Sequence, residues 1–289
     1  IKEIPNSKLQ NFLQKENCLD NFGKKFFFLM GVLNLTPDSF SDGGMYFFED
    51  KAIEHVKKMI NYGVDIIDIG GESTKPKAKP VKIEEEINRV IPVIKKIKDL
   101  NKKIPLSIDT RKSKVMKESL SLGVDLINDV SSLEFDKDSM NLLEKNNNYV
   151  CLMHGGMKNV NIQENIEYDD LILDVYNYLK ERIKTSENNG IKKSRIIIDP
   201  GIGFRKNYKQ DITIIKNLSI FHNLGCPILI GASRKSFIGQ ISKEKNSSKR
   251  VAGSLSVAIE AIRQGVEIIR VHDLYETKQA LMIYKALNY

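Results

Sequence analysis

The sequence predicts an α/β fold: a (β/α)8 TIM barrel, built as one domain behind a short N-terminal extension. One rhythm carries that expectation: a short apolar run, a polar turn and a longer helical pattern, repeated from about residue 26 to the end of the 289-residue chain. The apolar runs are near-continuous, which suits strands covered on both faces by helices. Eight such units fit a closed parallel barrel at this length. An open doubly wound sheet is the alternative that the same rhythm allows.

Taken in order, residues 1–24 are polar and aperiodic and read as an extension, leaving 25–289 as the barrel domain. The apolar runs are Phe26–Leu33, Val64–Ile69, Pro105–Ile108 and Val124–Ile127. They continue with Tyr149–Met153, Arg195–Ile198, Pro227–Ile230 and Val266–Val271. Between them, Ile83, Ile87, Val90, Ile94 and Ile97 fall on one helical face, as do Ile172, Val175, Leu179 and Ile183. The pairs Gly63-Val64, Gly123-Val124 and Gly265-Val266 place glycine where a helix C-cap is expected before the next strand. No linker, repeat or low-complexity segment divides the chain.

Hydrophobic residues make up 41% and charged residues 28%, the composition of a globular domain with a substantial core. The net charge of +8 raises the question of nucleic acid. The excess lysines, such as Lys57, Lys58, Lys95, Lys96, Lys98, Lys192 and Lys193, are scattered over helical patterns and form no basic stripe with stacking aromatics. Solvated helix faces and an anionic small-molecule substrate account for them better, and neither nucleic acid nor a membrane is an expected partner. Cys18, Cys151 and Cys226 are odd in number and lack C-x-x-C spacing, which argues against a disulfide scaffold and for a reducing, cytoplasmic setting. The chain opens on Ile1, which leaves open a trimmed or fused longer protein.

The functional signal lies in the polar residues at the end of each apolar run. The first ends at Asn34, the second at Asp68, the third at Asp109 and the fourth at Asn128. The sixth ends at Asp199, the seventh at Ser233-Arg234-Lys235, and the eighth at Arg270 and His272. In a barrel these positions converge on the carboxyl-end face, where active sites of this fold sit. Any one of them is explained as well by a helix N-cap, but the whole series is not. Asp109, Asn128 and Asp199 suit a flat heterocycle bearing an exocyclic amine and a ring N–H. Asn34, Lys235, Arg270 and His272 suit an anion with a metal, Arg as a bidentate fork and Lys as a point charge.

Other signals are weaker. Gly43-Gly44 and Gly70-Gly71 permit close backbone approach in two early loops. His154, after the fifth run, is a candidate ligand or base, whereas His55 and His222 lie in helical patterns and read as surface or packing residues. No dinucleotide, Walker-type or nucleophile-elbow motif is present.

These segments resemble the dihydropteroate synthases, a family of pterin-binding enzymes. MGVLNLTPDSFSDGG at Met30–Gly44, DIIDIGGESTKP at Asp65–Pro76, SIDT at Ser107–Thr110 and LINDVSS at Leu126–Ser132 are similar to its first blocks. CLMH at Cys151–His154, DPGIGF at Asp199–Phe204, GASRKSFIG at Gly231–Gly239 and IRVHD at Ile269–Asp273 come next in family order. The first and seventh blocks carry most of the specificity.

The resemblance implies joining a dihydropterin-6-methyl pyrophosphate to p-aminobenzoate in folate biosynthesis, with Mg2+ as cofactor, pyrophosphate as leaving group and sulfonamides as inhibitors. It implies pterin contacts from Asp109, Asn128, Met153, Asp199 and Lys235. Asn34 would hold the metal or the pyrophosphate, with Lys75, Arg270 and His272 on the phosphates. Asp42 and Thr74 would sit on two catalytic loops. Phe40, Thr74, Pro76, Phe204, Ser233 and Arg234 would surround p-aminobenzoate. A homodimer formed through late helices is also implied. Lys75 departs from the family's usual Arg, keeping the charge and losing the fork. The KPKAKP segment lacks a Gly common after the Pro, and Gly155-Gly156-Met157 also differs. A corrinoid-linked methyltransferase acting on methyltetrahydrofolate, or a non-catalytic pterin-binding module, would share the acceptor set without needing the anion-binding residues.

Overall fold

The computed structural model describes residues 27–36, 45–73, 78, 80–155 and 167–288. Eight parallel strands form one sheet: β1 Phe28–Asn34, β2 Ile66–Gly70, β3 Leu106–Asp109, β4 Leu126–Asp129, β5 Tyr149–Met153, β6 Ile196–Asp199, β7 Leu229–Ile230 and β8 Ile268–Val271. Their order, β6-β5-β4-β3-β2-β1-β8-β7, is that of a barrel, and a lone bridge between Ile198 and Ile228 joins its two ends. The seam between β6 and β7 is therefore the least bonded part of the wall.

Helices cover the outside: α1 Met45–Asn61, α2 Ile83–Leu100, α3 Ser113–Ser121, α4 Asp138–Glu144, α5 Leu171–Asn188, α6 Tyr208–Lys216, α7 Ser236–Ser242, α8 Val251–Arg263 and α9 Leu274–Asn288. The expected helical faces are the buried ones, with Val90, Ile94 and Ile97 in α2 and Val175, Leu179 and Ile183 in α5. The seventh unit carries two helices, α7 and α8. Several strands begin two residues later than their apolar runs. The reason is local: in each Gly-Val pair the valine N–H still serves the preceding helix, as Val64 N donates to Met59 O at 3.0 Å and Val266 N to Ala261 O at 3.1 Å. Gly63, Gly123 and Gly265 take the left-handed conformation that this helix ending requires.

The pleat sorts each strand into two faces. Outward residues such as Leu29, Ile67, Ile108, Val150, Ile198 and Ile269 join the large core beneath the helices. Inward residues Phe28, Met30, Ile66, Leu126, Tyr149, Cys151, Ile197, Leu229 and Ile268 form a separate apolar plug in the lower barrel. Two residues further up the same inward faces stand Asp68, Asn128, Asp199 and Arg270 (after Ile66, Leu126, Ile197 and Ile268), and Asp109 is paired with Asn128 in register. The polar strand ends are thus the upper part of one inward-facing stack, with Asp68, level with Ser107, below Asp109 and Asn128.

At the foot, an acid next to an even-numbered strand reaches back to its odd-numbered neighbour. Asp65 Oδ2 accepts from Leu29 N at 2.9 Å, Asp125 Oδ2 from Leu106 N at 2.9 Å and Glu267 Oε2 from Ile228 N at 2.7 Å. Each contact ties a strand pair from below, a backbone N–H donating to a carboxyl oxygen. Arg195, before β6, instead donates to the carbonyls of Leu143, Asn146 and Asn148.

Candidate active site

Parallel register sets Asn34, Gly70, Asp109 and Asn128 side by side at the ends of β1 to β4. One tier lower, Asp68 is fully buried beneath them. Arg270 rises from β8 into this group: its Nε lies 2.6 Å from Asp68 Oδ2 and its Nη2 2.9 Å from Asp109 Oδ2. Asn128 Nδ2 donates to the same Asp68 oxygen at 3.2 Å. Burial pulls the Arg270 proton affinity down, but Asp68 and Asp109 outweigh it and hold the guanidinium above its ordinary value. Burial pushes Asp109 up to about 7, against the opposing pull of Arg270. Arg270 was expected on phosphates; in the structure it is the counter-ion of two inward carboxylates, which occupies two of its five N–H groups.

The opposite wall is built by the loops after β6 and β7. Asp199 is buried at the end of β6, its Oδ1 taking Gly201 N at 2.7 Å, and burial raises its pKa while Lys235 opposes that. Lys235 sits 4.3 Å above the Phe204 ring and donates to Ile202 O. Burial lowers its pKa to about 8, with Asp199 and Asp211 resisting. Met153, buried at the end of β5, pairs in register with Asp199.

Arg234 does not turn its charge to this wall. Its guanidinium is forked onto Asp273, with Nε 3.0 Å from Oδ2. Its backbone is left-handed, at φ 59°, and Arg250 Nη1 holds its carbonyl at 3.1 Å. Arg234 therefore shapes the β7 turn, with Lys235 as the next residue. His272 is exposed at the end of β8, and Ser233 Oγ lies 3.1 Å from its Nδ1 and 3.2 Å from its N. A polar cavity of about 200 Å3 beside Lys235 is lined by Gly203, Arg205, Lys206, Asp211, Ser236 and Gln240 among others.

His154 is a structural residue rather than the ligand or base considered from sequence. It is buried edge-on against Tyr178, its ring 5.0 Å from the tyrosine ring, and its Nδ1 is 2.8 Å from Lys206 Nζ. Burial, reinforced by Lys206, holds its pKa down to about 2, so the imidazole is a neutral acceptor. Lys206 also reaches Gly201 O at 3.0 Å and Phe204 O at 3.1 Å, knitting the loop that carries Asp199 and Phe204. Gly201 is required there: its φ is +73°, and a Cβ would fall 1.8 Å from His154 O.

Sequence reasoning missed a second network under the β2 loop. Lys112 Nζ contacts Glu86 and lies 2.8 Å from Glu72 Oε2. Thr110 Oγ1 donates to Glu86 Oε1 at 2.6 Å, and Glu72 Oε1 accepts from Val81 N at 3.2 Å. This ties the loop entering Ser73 to the turn just after Asp109. Its only sequence signal was a Lys directly after SIDTR. Phe40, Asp42, Thr74, Lys75 and Pro76, and the Gly43-Gly44 pair, lie outside the described residues. Among the described residues no group of three or more His, Cys, Asp and Glu is arranged to hold a metal.

Residues 30–272 match the model of the pterin-binding enzyme family. The dihydropteroate synthase of Clostridium beijerinckii is 44% identical over 261 residues, covering 90% of this chain and 93% of that protein. A crystal structure of the Clostridium difficile dihydropteroate synthase in the presence of pteroic acid superposes with a TM-score of 0.85 at 43% identity, covering 92% of this chain and 98% of that one. The Yersinia pestis dihydropteroate synthase with a sulfonamide drug superposes with a TM-score of 0.84 at 40% identity, over 90% and 94% of the two chains.

Proposed function

The chain belongs to the pterin-binding enzymes, among the dihydropteroate synthases, and from that premise we propose how its residues divide the work. The reaction joins a dihydropterin-6-methyl pyrophosphate to p-aminobenzoate, releasing pyrophosphate and dihydropteroate. The observation that carries the site assignment is the meeting of Asp109, Asn128 and Asp199 with Lys235 around one mouth above an apolar plug.

Asp109, Asp199 and the Asn128 oxygen accept from the amine and ring N–H groups of the pterin. Lys235 donates to its oxygen and ring nitrogen, and Met153 packs on the ring. Heterolysis of the methylene–pyrophosphate bond leaves a cation delocalised over the pterin, and the aniline nitrogen of p-aminobenzoate adds to the methylene carbon and then loses its proton. This needs no strong base; it needs alignment and stabilisation of the leaving charge. His272 and the remaining N–H groups of Arg270 face that charge, with Lys75 from the β2 loop. Phe204 and Ser233 border the p-aminobenzoate subsite, with Phe40, Thr74 and Pro76; Arg234 shapes it through its turn, and sulfonamides compete there.

Mg2+ supplies charge neutralisation for the departing pyrophosphate when bound. Because Mg2+ keeps several waters and takes substrate phosphate oxygens, one side-chain carbonyl at the mouth is a sufficient protein donor, and Asn34 fits that role. The same reading expects a homodimer in the cytoplasm. Exposed Tyr275, Met282, Ile283 and Leu287 on α9 support a late-helix interface, and buried free Cys151 and Cys226 fit a reducing compartment. No described helix is long and apolar enough to cross a membrane.

The test is pyrophosphate release from the dihydropterin substrate with Mg2+, with and without p-aminobenzoate, in wild type and Lys235→Ala. Release that requires p-aminobenzoate, yields dihydropteroate and collapses in the variant is the expected result. Tight pterin binding without any pyrophosphate release would overturn it and turn attention to methyl transfer.

A further inference from the structure

We infer that Asp68, which lies beneath the substrate residues, is a specificity-determining positioning residue: it fixes the Asn128 amide with its nitrogen inward and its oxygen toward the ligand. The inference rests on the pterin-site reading above and adds a residue to it. Asn128 Nδ2 donates to Asp68 Oδ2 at 3.2 Å, and the same oxygen lies 2.6 Å from Arg270 Nε. Asp68 is fully buried, and its Oδ1 has no hydrogen-bond partner among the described residues, so Oδ2 carries both contacts. Among the described residues, the contact that engages the Asn128 amide runs from its Nδ2 to Asp68, which leaves Oδ1 on the other side of the amide.

An amide can present either end to a ligand, and the two ends look alike in shape. Here the choice is made from below. Rotating the amide by half a turn would set Oδ1 against a carboxylate oxygen at the 3.2 Å now spanned by a hydrogen bond. Asp68 Oδ2 already accepts from Arg270 Nε at 2.6 Å, so it meets the amide as an acceptor.

The consequence is a mouth that offers three acceptors in a group: Asp109, Asp199 and the Asn128 oxygen. A ligand edge carrying an amine and a ring N–H satisfies them. An edge of the same shape carrying a carbonyl in place of the amine meets oxygen with oxygen. A site built to pair a donor rejects the analogue that lacks it far more strongly than a size mismatch would.

The experiment is calorimetric titration of a 2-amino-4-oxo pterin and its 2,4-dioxo analogue, with the same 6-substituent. The proteins are wild type, Asp68→Asn, and the double variant Asp68→Asn/Asn128→Asp, in which donor and acceptor trade places across one contact. Wild type is expected to prefer the amino compound by about 100-fold or more. Asp68→Asn should shrink that ratio at least tenfold, and the double variant should restore most of it. A ratio unchanged in Asp68→Asn, with both affinities falling together, would mean a merely structural role and overturn the inference. A wild type that binds neither ligand overturns the pterin-site reading itself. Should Asp68→Asn fail to fold, exchange of the Asn128 side-chain amide protons in free wild type decides: slowed exchange supports the lock, and exchange at the rate of a free amide overturns it.

Discussion

Lys112 and Glu86 meet in an ion pair sealed from solvent, the lysine side chain 7% exposed and the glutamate 0%. The same ammonium holds Glu72 at 2.8 Å, so one cation serves two acids from different elements. Removing one member of such a pair strands a buried charge, a loss of about 3–5 kcal/mol. Lys112→Met should therefore lower the stability measured by urea unfolding by that amount. A loss below about 1 kcal/mol, the size of an exposed pair, would show that the network is open to water.

Glu267 sets a pH dependence at the foot of the barrel. Burial raises its pKa from 4.5 to about 8, against the hydrogen bond from Ile228 N. Between those values the folded chain holds a proton that the unfolded chain has released, so stability from this group falls as pH rises and the penalty is complete above about 8. Glu267→Gln keeps an oxygen for Ile228 and removes the titration. Its stability relative to wild type should rise between pH 5 and pH 9 in paired urea titrations. A constant difference would contradict the burial of this carboxyl.

Arg205 occupies the left-handed region at φ 52°. A side chain there costs about 1–2 kcal/mol relative to the right-handed region, and glycine avoids that at some entropic cost of its own. Arg205→Gly should stabilise the chain by about 1 kcal/mol in thermal unfolding. Destabilisation would mean that the guanidinium makes a contribution larger than the strain.

Lys235 is held by burial at a pKa of about 8. Its charged form is lost as pH rises through that value, and kcat/KM reports groups of the free enzyme. The kcat/KM for the pterin substrate should therefore bend downward above about pH 8 and approach a tenfold fall per unit. In Lys235→Arg, whose charge persists, the bend should vanish even if the absolute value is lower. A bend that survives the substitution would assign it elsewhere.

Much of this architecture is legible in the chain. Apolar runs located the strands, and glycines after helical patterns located the returns, because both arise from local chemistry. The residues ending each run converge as a closed barrel requires. The features that stayed hidden depend on closure. Arg270 meets Asp68 and Asp109 across sequence separations of 202 and 161 residues, and nothing local distinguishes a phosphate-binding arginine from the counter-ion of two acids. Asp68 read only as a strand end because its inward direction and its depth appear once the register of β1 to β3 is fixed. His154 looked like chemistry because its burial is made by Tyr178 and Lys206, which lie on other loops and helices.

The lone bridge between Ile198 and Ile228 gives the barrel a hinge line in its wall. Asp199 stands on one bank of that line and Lys235 on the other. A ligand gripped by both becomes a rivet across the gap that the backbone leaves nearly open. Occupancy should then be visible as slower amide hydrogen exchange along β6 and β7, with little change on the fully laced side around β2 and β3.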